Sequence, residues 1–104
     1  MIIEERDYRV KAGKLAQFIG LYEQQGLPIQ REMLGKFIGF FTTESGELNH
    51  VVAWWGYDSL DDRQARWDRM LADPRWQIYL KMVDGLIEHQ QTRYLRPTPL
   101  SPMR

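Results

Sequence analysis

The stretch from Lys36 to Tyr57 constrains the fold more than any other part of the chain. It reads as two β-preferring segments, Lys36 to Thr43 and Asn49 to Tyr57. They are joined by Glu44-Ser45-Gly46-Glu47-Leu48, where Gly46 supplies the positive φ of a hairpin loop. In the first segment Ile38 and Phe40 share one parity, and Phe37 and Phe41 the other. In the second, Val51, Ala53, Trp55 and Tyr57 alternate with Val52 and Trp54. A sheet wetted on one face alternates apolar with polar residues, whereas this hairpin is apolar on both. Helices cover only one face of such a sheet, and a second copy of the same sheet is the simplest cover for the other. The expectation is a homodimer.

The remaining elements fall around this hairpin. Ile2 to Val10 is a strand with Ile2, Glu4, Arg6, Tyr8 and Val10 on one face and Ile3, Glu5, Asp7 and Arg9 on the other. After the turn Lys11-Ala12-Gly13-Lys14, the residues Leu15, Phe18, Ile19 and Tyr22 form one helical stripe. Gly26 is expected to cap that helix, with Pro28 just beyond and a further turn or two through Ile29, Met33 and Leu34 before Gly35. Ser59-Leu60-Asp61-Asp62 has the cap and first-turn acids of a helix start, and Leu60, Arg63, Trp67, Met70 and Leu71 share one face beyond it. Asp73-Pro74 starts the helix again, and Trp76, Tyr79, Leu80 and Val83 continue the stripe. Ile87 to Leu95 is the last strand. The order β-α-β-β-α-β predicts one α+β, ferredoxin-like domain over residues 1–97, a four-stranded antiparallel sheet with helices on one face. Residues 98–104, rich in proline, are expected to form an extended tail.

Charge is balanced, with 14 Lys and Arg against 14 Asp and Glu and a pI near 6.7. That offers no basic surface, so neither nucleic acid nor an anionic membrane is an expected partner. No apolar run approaches the ~20 residues of a membrane span. Met1-Ile2-Ile3-Glu4-Glu5 does not resemble a signal peptide, so a cytoplasmic protein is expected. Without cysteine there is no thiolate nucleophile or thiolate metal site. His50 and His89 fall on separate strands and read as polar strand-edge residues. No carboxylate pattern completes a set of three or four ligands around them, so no metal, haem or other cofactor is expected.

The run Glu4-Glu5-Arg6-Asp7 is the unusual one. Four consecutive charges in a strand are exposed, are paired with Arg93 or Lys36 across strands, or line a wet cavity. Polarity favours placing Glu4, Arg6 and Tyr8 away from the helices, in a lumen between the sheet and its cover. There Glu4 would orient the Arg6 guanidinium, Arg6 would fix an anionic or carbonyl group, and Tyr8 would donate a hydrogen bond. Trp55 and Tyr57 would stand alongside on the neighbouring strand. These five are the candidate ligand-binding residues, and no catalytic residue is assigned. Arg63, Arg66 and Arg69, with Asp61, Asp62 and Asp68, read as a solvated helix face.

Several segments together resemble the NIPSNAP family: Glu4-x-Arg6-x-Tyr8 followed by Lys11-Ala12-Gly13-Lys14-Leu15, Gly39-Phe40-Phe41-Thr42-Thr43-Glu44-x-Gly46-x-Leu48-Asn49, Trp55-x-Tyr57-Asp58-Ser59-Leu60-x-x-Arg63, and Asp73-Pro74-x-Trp76. The match runs from Ile2 to about Pro97. The resemblance implies a dimeric α/β barrel, two ferredoxin-like sheets facing each other around a shared lumen, which is where it would put the candidate ligand. The family often has Lys-Pro-Gly where this chain has Lys11-Ala12-Gly13, and a His where it has Ala53. Family biochemistry is mostly unassigned, so the expectation is a homodimeric domain that binds a small molecule or a protein partner. The alternative is a cofactor-independent monooxygenase or isomerase acting on an aromatic or polyketide-like substrate in the lumen.

Overall fold

The structure, a computed structural model, describes residues 1–103. Strands β1 (Ile2–Val10), β2 (Lys36–Thr42), β3 (His50–Tyr57) and β4 (Ile87–Leu95) form one antiparallel sheet in the order β2-β3-β1-β4. Helices α1 (Leu15–Leu21), α2 (Leu27–Met33), α3 (Leu60–Leu71) and α4 (Pro74–Met82) cover one face. The expected ferredoxin-like arrangement is therefore present. Asn49 takes a left-handed φ of 64°, which ends the hairpin loop and starts β3 at His50 rather than Asn49. Of the tail expected over 98–104, residues 98–103 are described and Arg104 lies outside the described residues; Ser101 N–H donates to the Thr98 carbonyl at 2.9 Å.

The core lies between sheet and helices. One parity of β1 and β3 supplies Ile2, Val10, Val51, Ala53, Trp55 and Tyr57, and the helices answer with Phe18, Ile29, Trp67, Met70, Trp76 and Tyr79. Trp55 and Met70 are wholly buried. Each such side chain contributes about 2 kcal/mol by removal of apolar area from water. The caps are where the sequence puts them. Ser59 Oγ accepts from Asp62 N at 3.0 Å, and Asp73 Oδ1 accepts from Arg75 N at 2.8 Å, with Pro74 in the first turn of α4.

Gly26 does not cap a helix. The chain passes from α1 through a π-helical turn, Tyr22–Gly26, straight into α2, and Pro28 sits in the first turn of α2, just after the widened turn. Glycine is needed at position 26 for space: a Cβ there would stand 2.6 Å from Cζ of the buried Tyr79. The wider turn also aims Tyr22 at Gln30, eight residues on, and their side chains hydrogen-bond at 2.5 Å.

The opposite, helix-free face is mixed. Trp54 points to it while Trp55 points to the helices, and Phe41 packs on Trp54 with ring centroids 5.3 Å apart. The middle strands alone predict a more apolar surface. Strands β1 and β4 dilute it by bringing Glu5, Asp7, Gln91 and Arg93 to the same side. Glu5 is paired with Arg93 at 2.8 Å, as the sequence suggests, and also accepts from Trp54 Nε1 at 3.0 Å. Asp7 meets His50 Nδ1 at 2.5 Å, and Glu47 lies 3.5 Å from His50 Nε2.

That last cluster has a pH signature. The hydrogen bond that His50 donates to Asp7 raises its pKa above the ordinary 6.5; burial opposes this, and the charge of Asp7 and the hydrogen bond and charge of Glu47 add to it. A raised folded-state value means that the stabilisation is complete below pH 6.5 and is lost as the pH climbs through the folded value. Thermal melts of the native chain should fall across that interval. Asp7→Asn should flatten the fall, and an unchanged slope in that variant would refute the assignment.

Candidate functional site

A cavity of about 210 Å³ lies between the sheet and the helices. Its walls are mainly aromatic: Phe18 from α1, Phe40 and Trp55 from the sheet, Trp67 from α3, and Trp76 and Tyr79 from α4. Leu71 and Leu80, both partly exposed, line it on the side that meets solvent. Polar groups are few. Arg6, Tyr8 and Gln90 come from the sheet, and Tyr22 and Gln30 from the π turn and α2.

Arg6 is held from three sides. Its Nη1 donates to Glu4 Oε2 at 3.3 Å, its Nε donates to the Tyr8 hydroxyl at 2.7 Å, and its Nη2 reaches the same oxygen. The guanidinium carbon lies 4.3 Å from the centre of the Trp67 ring, within cation–π range. Burial alone would lower the Arg6 pKa, but Tyr8 and Glu4 more than offset it and raise the value above the ordinary arginine range. Arg6 is therefore a fixed cation. Tyr8 is pushed up chiefly by burial, against the pull of Arg6, and so stays a neutral phenol near pH 7. Its oxygen accepts two N–H groups from Arg6, which leaves the hydroxyl proton to donate into the cavity that Tyr8 lines. An oriented guanidinium beside a phenol donor suits two oxygens of one planar ligand group.

Behind Arg6, Glu4 is fully buried. Its Oε2 also accepts from Arg63 on α3, at 3.1 Å from Nε and 2.7 Å from Nη2.

The structure corrects the expected side of the sheet. Glu4, Arg6 and Tyr8 do share one face, but it is the helix face and not a lumen. The physical reason lies in the strand itself: Ile2 and Val10 have the same parity and are core residues, and a regular strand cannot turn its middle over between them. Polarity misdirects because the Glu4 charge is met inside the fold by two guanidinium groups at its Oε2. Of the five candidates, Arg6, Tyr8 and Trp55 line the cavity, Glu4 backs Arg6, and Tyr57, buried at the end of β3, is outside the lining. Burial pushes the Tyr57 hydroxyl up to about 12.

Arg63 is not part of a solvated face. Its side chain is only 15% exposed, while its neighbours Arg66 and Arg69 pair with Asp62 and the Met33 carbonyl respectively. Two sequence signals pointed to it: its place on the Leu60–Trp67–Met70 stripe, and its position in the Trp55-to-Arg63 segment. Ala53, directly opposite Arg6 in the β1–β3 register, also lines the cavity. Among the described residues no group of three or more His, Cys, Asp or Glu side chains could hold a metal, and no helix is long and apolar enough to cross a membrane.

With this geometry in hand, comparison with known proteins is specific. The family model for NIPSNAP matches residues 3–102. The chain belongs to the NIPSNAP family. A NIPSNAP family protein from Agrobacterium tumefaciens is 43% identical, with 99% of this chain and 98% of that one covered at a TM-score of 0.96. The NipSnap homologue of Dictyostelium discoideum is 29% identical over 97 residues, 93% of this chain and 43% of its own length. The Drosophila melanogaster NipSnap protein is 30% identical over 101 residues, 97% of this chain and 36% of its own. This NIPSNAP chain thus spans less than half of those two relatives. An antibiotic biosynthesis monooxygenase shares the fold at a TM-score of 0.65 and 12% identity, covering 95% of this chain and all of that one.

Proposed function

We propose that this NIPSNAP domain binds a small aromatic molecule in the cavity beneath its helices, and that it does so as a homodimer joined through the helix-free face. The observation that carries the reading is an aromatic-walled cavity, open on the side of Leu71 and Leu80, that the fixed Arg6 guanidinium and the Tyr8 hydroxyl line together. Its volume exceeds the roughly 150 Å³ that admits benzene and falls short of the 300 Å³ or more of drug-sized sites, so one or two rings fit. For the dimer, the support is the Phe41–Trp54 pair on the helix-free face, with Phe41 46% exposed.

Two measurements test this. The neutral probe 2-naphthamide should quench tryptophan fluorescence saturably, one molecule per chain. Ala53→Phe, which fills the cavity opposite Arg6, should abolish that binding with circular dichroism unchanged. Absence of binding in the native chain both for 2-naphthamide and for its acid, 2-naphthoate, or undiminished binding in Ala53→Phe, overturns the site. Light scattering should give twice the 12.4 kDa chain mass, and a single chain mass at micromolar concentration overturns the dimer.

A second reading makes the same cavity a catalytic one, that of a cofactor-independent monooxygenase or isomerase acting on an aromatic or polyketide-like substrate. The specific support is the Arg6–Tyr8 pair, whose donors suit a developing enolate oxygen. Likeness to the monooxygenase is a likeness of fold. Oxygen uptake or product formation with a panel of quinols, lost in Arg6→Ala, would establish turnover.

A further inference from the structure

Charge in the cluster behind the cavity does not balance. Glu4 contributes one carboxylate, and a single oxygen of it, Oε2, receives both Arg6 and Arg63. The two guanidinium groups are 14% and 15% exposed, and among the described residues Glu4 is the only acid within ion-pair distance of either. Their other partners are neutral: the Tyr8 hydroxyl, the Gln64 amide, and the ring faces of Trp67, Tyr8 and Tyr94. Four other arginines have at least one acid apiece. Arg9 has Glu47 and Glu88, Arg75 has Glu32 and Asp73, Arg93 has Glu5, and Arg66 has Asp62. Among the described residues no other carboxylate is shared by two arginines.

A surplus positive charge in a low-dielectric site is costly unless something neutralises it, and aromatic ring faces offset only part of that cost. Arg6 still has donors to give. A guanidinium carries five N–H groups, and the contacts to Tyr8 and Glu4 use three of them. The unused donors and the Tyr8 proton belong to residues that line the cavity.

We infer that the ligand is a monoanionic aromatic acid, one carboxylate on one or two fused rings, held by Arg6 and Tyr8 and neutralising the charge that Arg63 leaves in excess. This rests on the cavity reading above and adds the charge. A surplus of one selects a monoanion over a phosphate-type dianion. The two-oxygen donor set selects a carboxylate, and the aromatic walls select its frame.

Paired isosteres test the charge without any mutation. Native protein is titrated with 2-naphthoate and with 2-naphthamide, which differ only in replacing one carboxylate oxygen by NH2. Naphthoate should bind about tenfold tighter or better, the usual effect of a hydrogen bond to a charged group. Arg63→Gln should remove most of that preference by restoring a neutral Glu4–Arg6 pair, and Arg63→Lys should keep it. Equal affinities in the native chain, or a preference unchanged in Arg63→Gln, overturn the inference while leaving the cavity as a site for neutral aromatics. Failure of both probes removes the cavity reading and this one together.

Discussion

Replacing Glu4 by Gln is expected to lower the unfolding free energy by about 3 kcal/mol or more, the usual result of deleting one partner of a buried charge network. The shape of the side chain is kept, so no void is created. What is lost is, among the described residues, the only carboxylate paired with two guanidinium groups that solvent scarcely reaches. Urea denaturation at pH 7 would measure it, and the double variant with Arg63→Gln should recover part of the loss by removing one of the stranded cations. A loss below about 1 kcal/mol would mean that water stabilises both arginines, and the buried character assigned to the cluster would be wrong.

Gly35→Ala should be as damaging, by a steric route. Gly35 links α2 to β2, and a Cβ there would stand 2.2 Å from the backbone carbonyl oxygen of Gly56 and 2.9 Å from Cδ1 of the buried Tyr57. Neither is a flexible chain end. The connection cannot retreat easily, because Leu34 is buried and its carbonyl is held by Arg66 at 3.2 Å. A loss of about 3 kcal/mol, or failure to fold, is expected, in the range of overpacked core substitutions. Gly20→Ala is the control. Nothing lies within 4 Å of a Cβ at that helical position, so it should be neutral or stabilising by up to about 1 kcal/mol. A melting temperature unchanged in Gly35→Ala would refute the close approach.

Strand parity and capping chemistry made the architecture legible. The alternation in Ile2–Val10 set the site residues on one face, Ser59 and Asp73 marked two helix starts, and the opposite orientations of Trp54 and Trp55 follow from period two alone. The side of the sheet was harder. Glu4 and Arg6 look like solvent-facing charges until α3 folds back over them, and only tertiary structure brings Arg63, 59 residues away, to the same carboxylate. The flanking Ile2 and Val10 held the correct answer, and the polarity of the middle outweighed them. The π turn was hidden for a different reason. In an unbroken α-helix Tyr22 and Gln30 would sit about 80° apart around the axis, so periodicity gives no hint that they meet. Gly26 and Pro28 then read as a stop, although one relieves crowding against Tyr79 and the other begins the next segment.

In the β1–β4 ladder Ile3 faces Leu95, so the strand that opens the domain runs beside the strand that closes it. The polypeptide therefore arrives and departs at the same corner of the sheet. Such a unit is modular: it can be spliced into a larger polypeptide, or strung in tandem, through a few linking residues and without threading chain across the fold. Two copies joined there would meet at an effective concentration set by the tether rather than by expression level. That geometry suits a domain whose relatives carry it within chains more than twice its length.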